Sequence, residues 1–196
     1  MDSDAWFDER FGGSRTLVIA RGLGAAATLA RAEQVWAAGV PLFEVPIRTP
    51  ADIEALRAVA AAAAARGLAV GAGTVVLPEQ VAAARDAGAA FVVSPGLDDE
   101  VVRACLDTGL AVLPGVATPS EVQRALRLGL RWVKAFPAAQ LGTGWFRAMR
   151  APFPDVRFVA TGGITPDNAD EYLAAGARAV AFGSGLTEPG QLDRFA

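Results

Sequence analysis

The chain has no histidine, one cysteine, one tyrosine and a single lysine in 196 residues. Without histidine it lacks the commonest metal ligand and the commonest general base, which argues against a zinc centre and against a Ser-His-Asp triad. One thiol cannot form an internal disulfide. Cys105 lies in Glu100-Val101-Val102-Arg103-Ala104-Cys105-Leu106, a helical pattern in which it reads as a small core residue. Long apolar runs are also missing. The longest, from Ala58 to Ala65, is bracketed by Arg57 and Arg66 and falls far short of the roughly 20 residues that span a bilayer. The beginning of the chain is acidic (Asp2, Asp4, Asp8, Glu9), where a secretory signal needs a basic flank and an apolar core. A cytoplasmic protein with no membrane segment is therefore expected. The net charge of -3 provides no basic footprint, so no nucleic-acid partner is expected.

The lysine shortage carries the most information. Lys134 stands alone among 17 arginines, in the run Arg131-Trp132-Val133-Lys134-Ala135-Phe136-Pro137. Arginine replaces lysine in most surface roles, but it keeps its proton near neutral pH and cannot serve as an amine nucleophile. A lone lysine in an apolar, strand-like run is thus a candidate for covalent chemistry. The competing explanation is a coding bias toward arginine that left one lysine behind.

With 53% hydrophobic and 20% charged residues the chain can bury a full core, and residues 1–196 read as one domain. Short β-rich runs alternate with alanine-rich helical runs about every 20 residues, the interval of repeated βα units. Strands are expected near Thr16–Arg21, Leu42–Ile47, Leu68–Gly73, Ala90–Ser94, Ala111–Pro114, Trp132–Ala135, Arg157–Thr161 and Arg178–Phe182. Helices are expected between them, with starts at Thr49-Pro50, Thr118-Pro119 and Thr165-Pro166 and stops at Gly39, Gly67, Gly88, Gly109, Gly129 and Gly176. The sixth is expected from Thr143 to Met149, and a short last one at Gln191–Phe195. Eight units without a second composition zone predict an α/β fold, a (β/α)8 TIM barrel. Met1–Phe11 is expected to form an extra N-terminal helix over its bottom.

In such a barrel, chemistry sits at the C-terminal ends of the strands. Alternation in Phe43-Glu44-Val45-Pro46-Ile47-Arg48 puts Phe43, Val45 and Ile47 toward the helices, and Glu44, Pro46 and Arg48 toward the interior. The same rule puts Trp132, Lys134 and Phe136 inside. A charged pair there is costly unless used or paired, and a structural Glu44–Arg48 salt bridge is the alternative to a functional one. Gly71-Ala72-Gly73-Thr74 ends the third strand, with Thr74 offering a hydroxyl at the rim. Gly162-Gly163 and Gly183-Ser184-Gly185 follow the seventh and eighth strands, the loops that commonly hold phosphate in this fold, so a phosphorylated ligand is expected there. Gly22-Leu23-Gly24-Ala25-Ala26-Ala27, with Glu44 about 20 residues on, formally matches a dinucleotide fingerprint. Eight continuous βα units leave no room for the substrate domain which that reading needs.

Taken together, Phe43-Glu44-Val45-Pro46-Ile47-Arg48-Thr49-Pro50, Gly71-Ala72-Gly73-Thr74-Val75, Ser94-Pro95-Gly96, Leu113-Pro114-Gly115-Val116-Ala117-Thr118-Pro119, Val133-Lys134-Ala135-Phe136-Pro137 and Thr161-Gly162-Gly163-Ile164 strongly resemble the pyruvate-forming class I aldolases. These act on 2-keto-3-deoxy-6-phosphogluconate and 4-hydroxy-2-oxoglutarate. The resemblance implies that Lys134 forms the Schiff base and Glu44 carries the proton. It also implies that Arg48 and Thr74 hold the substrate carboxylate, that Pro95 and Phe136 line the substrate site, and that the enzyme is a homotrimer needing no cofactor and no metal. The implied partner is a small keto acid. Pro46 and Arg21-Gly22 look closer to the branch cleaving 2-keto-3-deoxy-6-phosphogalactonate, whereas Arg48-Thr49 matches the phosphogluconate branch. Ala135 and Ala160 replace a usual phenylalanine and proline, and the bulk of Phe182 is expected to reshape the tail end of the pocket. Outside this resemblance, a non-covalent sugar-phosphate isomerase or epimerase and a barrel serving only as a binder or scaffold stay open.

Overall fold

A computed structural model describes residues 1–20, 22, 24–186 and 189–192. Its elements run α1 (Ser3–Gly12), β1 (Thr16–Ile19), α2 (Gly24–Ala37), β2 (Leu42–Pro46), α3 (Pro50–Ala64), β3 (Ala69–Gly73), α4 (Pro78–Asp86), β4 (Phe91–Val93), α5 (Asp99–Asp107), β5 (Ala111–Leu113), β6 (Gly115–Val116), α6 (Pro119–Arg127), β7 (Trp132–Ala135), α7 (Ala138–Arg150), β8 (Arg157–Thr161), α8 (Ala169–Ala175) and β9 (Ala179–Phe182), with a 3-10 turn at Pro189–Leu192. Every strand pairing is parallel, in the order β5-β4-β3-β2-β1-β9-β8-β7-β6. The two ends of that order, β5 and β6, are one strand interrupted at Pro114, which has no N–H to give to a ladder. Backbone bonds cross the interruption on both sides. Ser94 N–H donates to the Leu113 carbonyl (3.2 Å) and Gly115 N–H to Gly96 (3.1 Å), while Lys134 N–H donates to Pro114 (2.9 Å) and Phe136 N–H to Val116 (3.1 Å). The barrel closes through this broken fifth strand. The approach is so close that a Cβ on Gly115 would collide with the Pro95 carbonyl.

Side chains alternate between two layers. Phe43, Val45, Ile47, Val92, Val133, Ala135, Ala160 and Phe182 belong to the core between strands and helices. Leu17, Ile19, Leu42, Phe91, Val93, Trp132, Val159 and Ala181 belong to the barrel interior. The interior is sealed at the bottom by α1, as its sequence suggested. Phe7 and Phe11 are buried there, Phe11 stacks on Trp132 at 4.8 Å and Phe7 meets Phe91 edge-on at 5.8 Å. Each such ring contributes about 1.5–3 kcal/mol by leaving water. Polar ties fix the helix: Ser3 Oγ donates to the Val112 carbonyl (3.3 Å) and accepts from the Val112 N–H (3.0 Å), Asp4 accepts from Arg131 and Trp132 N–H, and Asp8 accepts from Trp132 Nε1 at 2.9 Å.

The Thr-Pro starts of α3 and α6 carry reciprocal capping boxes with Asp52 and Glu121, and all six glycine stops have positive φ. Three helix boundaries differ from expectation. Residues 166–168 form a turn, because the Asn168 side chain accepts the Thr165 N–H at 2.9 Å, and α8 starts at Ala169. The sixth helix begins earlier, at Ala138, and runs to Arg150 with a break at Gly142 (φ 71). Of the expected last helix, residues 193–195 lie outside the described residues, and Pro189–Leu192 is a 3-10 turn. Among the described residues no helix is long and apolar enough to cross a membrane.

Candidate active site

Lys134 and Glu44 are the only charged residues buried among the described residues, at 4% and 2% exposure. Both stand on the inner face near the C-terminal ends of their strands. The Cα partners of Lys134 are Gly115 and Val159, and those of Glu44 are Ile19 and Gly71. Trp132 sits one alternation below Lys134 and Phe136 one above, with the amine 4.8 Å from the Phe136 ring centroid, a face that attracts an ammonium. The Glu44 side chain leans toward β3, since a Cβ on Gly73 would collide with its carboxylate. Ionic groups are costly to bury in an apolar interior, and two of opposite charge at the functional end of a barrel make this the candidate site.

Thr74 and Arg48 follow the ends of β3 and β2. Thr74, half-buried, has φ 60, a left-handed conformation that a β-branched residue adopts at a cost of about 1–3 kcal/mol. Such strain concentrates at functional sites. Arg48 departs from expectation: it is exposed rather than interior. The strand ends at Pro46, and the Arg48 N–H is taken by Asp52 (3.0 Å) as the chain enters the α3 cap, so strand alternation no longer aims its side chain. Arg48 is a rim cation, outside the barrel that holds Lys134 and Glu44.

The predicted glycine loops do come together. Gly162, Gly163, Gly183 and Ser184 line one cleft of about 130 Å³ with Phe136 and Thr161. Phe136 therefore touches both ends of the site, packing against Gly162 and lying over the Lys134 amine. Asn168 braces the loop by donating from Nδ2 to the Gly163 carbonyl at 3.0 Å, and Ala139 N–H donates to Gly162 at 2.9 Å. Pro95 lines a cleft of about 210 Å³ with Val75, Val76, Ser94 and Leu97, and its carbonyl packs against Gly115, the strand partner of Lys134. Phe182 is the second correction. Alternation turns Ala181 to the glycine cleft and Phe182 outward into the helix-facing core, together with Ala135 and Ala160, so its bulk does not enter the pocket. Thr161, Asn168 and Gly73 were not singled out individually from sequence. Only Thr161 carried a usable signal, by its parity with Val159 on the inner face.

A family model described as KDPG and KHG aldolase matches residues 16–194. The chain belongs to this aldolase family. It is thereby a member of a family of carbon–carbon lyases. It is 43% identical to a 2-dehydro-3-deoxy-phosphogluconate aldolase of Treponema pallidum over 78% of this chain and 72% of that one. It is 35% identical to a 2-dehydro-3-deoxy-6-phosphogalactonate aldolase of Escherichia coli, over 89% and 85%. Its fold is shared, at TM-score 0.83 and 31% identity over 95% of this chain and 96% of the other, with a KDPG aldolase of Legionella pneumophila whose structure holds pyruvate captured at low pH as a covalent carbinolamine. As for the dinucleotide-like motif, Arg21 and Leu23 lie outside the described residues.

Proposed function

We propose that this aldolase cleaves a 2-keto-3-deoxy-6-phospho sugar acid to pyruvate and glyceraldehyde 3-phosphate, and 4-hydroxy-2-oxoglutarate to pyruvate and glyoxylate, through a Schiff base on Lys134. The observation that carries this reading is the burial of one lysine and one carboxylate, and no other charged group among the described residues, at the C-terminal end of the barrel. The Lys134 amine attacks C2 of the keto acid and water leaves, giving a protonated imine. Glu44 takes the C4 hydroxyl proton, the C3–C4 bond breaks, and its electron pair moves into the imine to form an enamine while C4 departs as an aldehyde. C3 is then reprotonated, and water hydrolyses the imine to release pyruvate and the free amine. Arg48 and Thr74 at the rim bind the carboxylate. The Gly162-Gly163 and Gly183-Ser184 loops receive the phosphate through backbone N–H groups, and Phe136 spans the distance between the two ends. No cofactor and no metal enters these steps.

The enzyme works as a homotrimer in this reading. Val76 and Leu77 support self-association: they are 48% and 50% exposed beside the Pro95 cleft, an apolar shelf that a second copy would cover. A cytoplasmic location accords with a keto-acid substrate. The test is borohydride reduction with pyruvate, followed by peptide mass spectrometry. One adduct is expected, on Lys134, and absent from Lys134→Arg. An unmodified protein at saturating pyruvate overturns the Schiff-base assignment.

A further inference from the structure

Pro46 is out of place for a strand residue. It is buried in a central strand, bonded to β1 on one side and β3 on the other, where proline is normally confined to edges and bulges. The β1–β2 ladder carries the Ala20 N–H to the Glu44 carbonyl at 2.9 Å. The next bond would run from residue 46 back to Ala20, and Pro46 has no hydrogen to donate. A lost ladder bond costs about 0.5–1.5 kcal/mol. A position that bears this cost invites the question of what its side chain does.

The ring's placement suggests a use. Phe43, Val45 and Ile47 face the helices, so Leu42, Glu44 and Pro46 share the inner face, with Pro46 directly above Glu44 at the mouth. Its Cα partner is Gly73, which has no side chain to offer. Along β2 and β3, then, the wall next to the Glu44 carboxylate consists of a pyrrolidine ring and bare glycine. It supplies no side-chain hydrogen-bond donor or acceptor.

We infer that Pro46 is a specificity-determining residue for the configuration at C4 of the substrate. The inference rests on the proposed aldol cleavage, in which Glu44 takes the C4 hydroxyl proton. Gluconate- and galactonate-derived keto acids differ in the direction of that hydroxyl. One epimer aims it at the Glu44 carboxylate. The other turns it toward the pyrrolidine ring, where it leaves water and gains no partner. An apolar wall rejects a hydroxyl only moderately, so the discrimination from this source is bounded at about 100-fold in kcat/KM.

The isosteric pair Pro46→Thr and Pro46→Val isolates the effect, because the two differ in one hydroxyl and both restore the same N–H. The readout is the ratio of kcat/KM for the two C4 epimers, 2-keto-3-deoxy-6-phosphogluconate and 2-keto-3-deoxy-6-phosphogalactonate. Pro46→Val is expected to keep the preference of the native protein within threefold. Pro46→Thr is expected to narrow it by about tenfold through gain for the disfavoured epimer, the worth of one hydrogen bond. Equal ratios in the two variants overturn the inference, as does a Pro46→Val that loses the preference, which would make the ring a backbone stiffener only. Borohydride trapping of pyruvate is run on the native protein and both variants. Absence of an adduct in the native protein refutes the Schiff-base reading itself, an outcome separate from equal ratios with trapping intact. If either variant fails to trap, Pro46→Ser takes the place of threonine and Pro46→Ala that of valine, with the same expected contrast.

Discussion

Replacing Gly73 by alanine tests the geometry of the site with one methyl group. The new Cβ would fall inside the Glu44 side chain, closest to Oε1 and Cδ, with Cγ at 2.7 Å. A relaxed carbon pair stands about 3.5–4.0 Å apart, so the carboxylate must retreat by about 1 Å. Overpacking of this kind costs about 1–3 kcal/mol, offset by about 0.4–1 kcal/mol from the smaller conformational freedom of alanine in the unfolded chain. A net loss of about 1–2 kcal/mol leaves a domain of this size folded. Activity should suffer far more, since a displacement near 1 Å in a positioned group costs about 100-fold in rate. The assay pairs two measurements on one sample: pyruvate release from the phosphorylated keto acid, and borohydride trapping of pyruvate on Lys134. Cleavage is expected to fall by about 100-fold while trapping persists, because imine formation with pyruvate breaks no C–C bond. Gly144→Ala is the control, as a Cβ there meets nothing within 4 Å and its helical setting gains up to about 1 kcal/mol. Cleavage by Gly73→Ala within threefold of the native rate would refute the claim that Glu44 is held in place by the missing side chain and used there.

Two further outcomes follow from buried and exposed groups away from the catalytic pair. Leu77→Asp puts a charge on the apolar shelf beside the Pro95 cleft and is expected to convert a homotrimer to monomers in size-exclusion chromatography with light scattering; a native protein that is already monomeric would refute the shelf's role. The Cys105 thiol, enclosed under α5, is pushed up to about 12 by burial, so a disulfide reagent at pH 8 should modify it only as fast as the barrel opens; labelling at the rate of a free thiol would contradict its enclosure.

How much of this was legible beforehand depends on which interaction controls each residue. Where a strand is continuous, two-residue alternation decides the direction of a side chain, and it put Glu44, Lys134 and Trp132 inside the barrel correctly. The rule fails where the strand stops. Arg48 lies only two residues beyond Pro46, yet the Thr49–Asp52 cap already directs the backbone there, and the arginine ends at the rim. Pro114 is a similar case: the run Ala111–Pro114 reads as one strand, but a residue without an N–H divides its ladder between two neighbours. Phe182 shows the opposite error. Its parity with Val180 on the outer face was available in the sequence, and its nearness in sequence to Gly183 and Ser184 outweighed it.

What no pattern along the chain encodes is complementarity between strands. Gly71-Ala72-Gly73-Thr74 announces a tight strand end, and nothing in it says that the vacant Cβ of Gly73 makes room for a carboxylate 29 positions earlier. That dependence links several features of the mouth. Glu44 occupies the space above Gly73, Pro46 caps the same wall without a polar atom, and Thr74 leaves the strand in a left-handed conformation that turns the chain away at once. Strain at Thr74, the missing N–H at Pro46 and the missing side chain at Gly73 would each be a defect in a strand whose only task was to pair. Gathered within two adjacent strand ends beside one buried carboxylate, they are the costs of shaping a wall around it, and the residues that bear them are where substrate preference is open to alteration without touching Lys134.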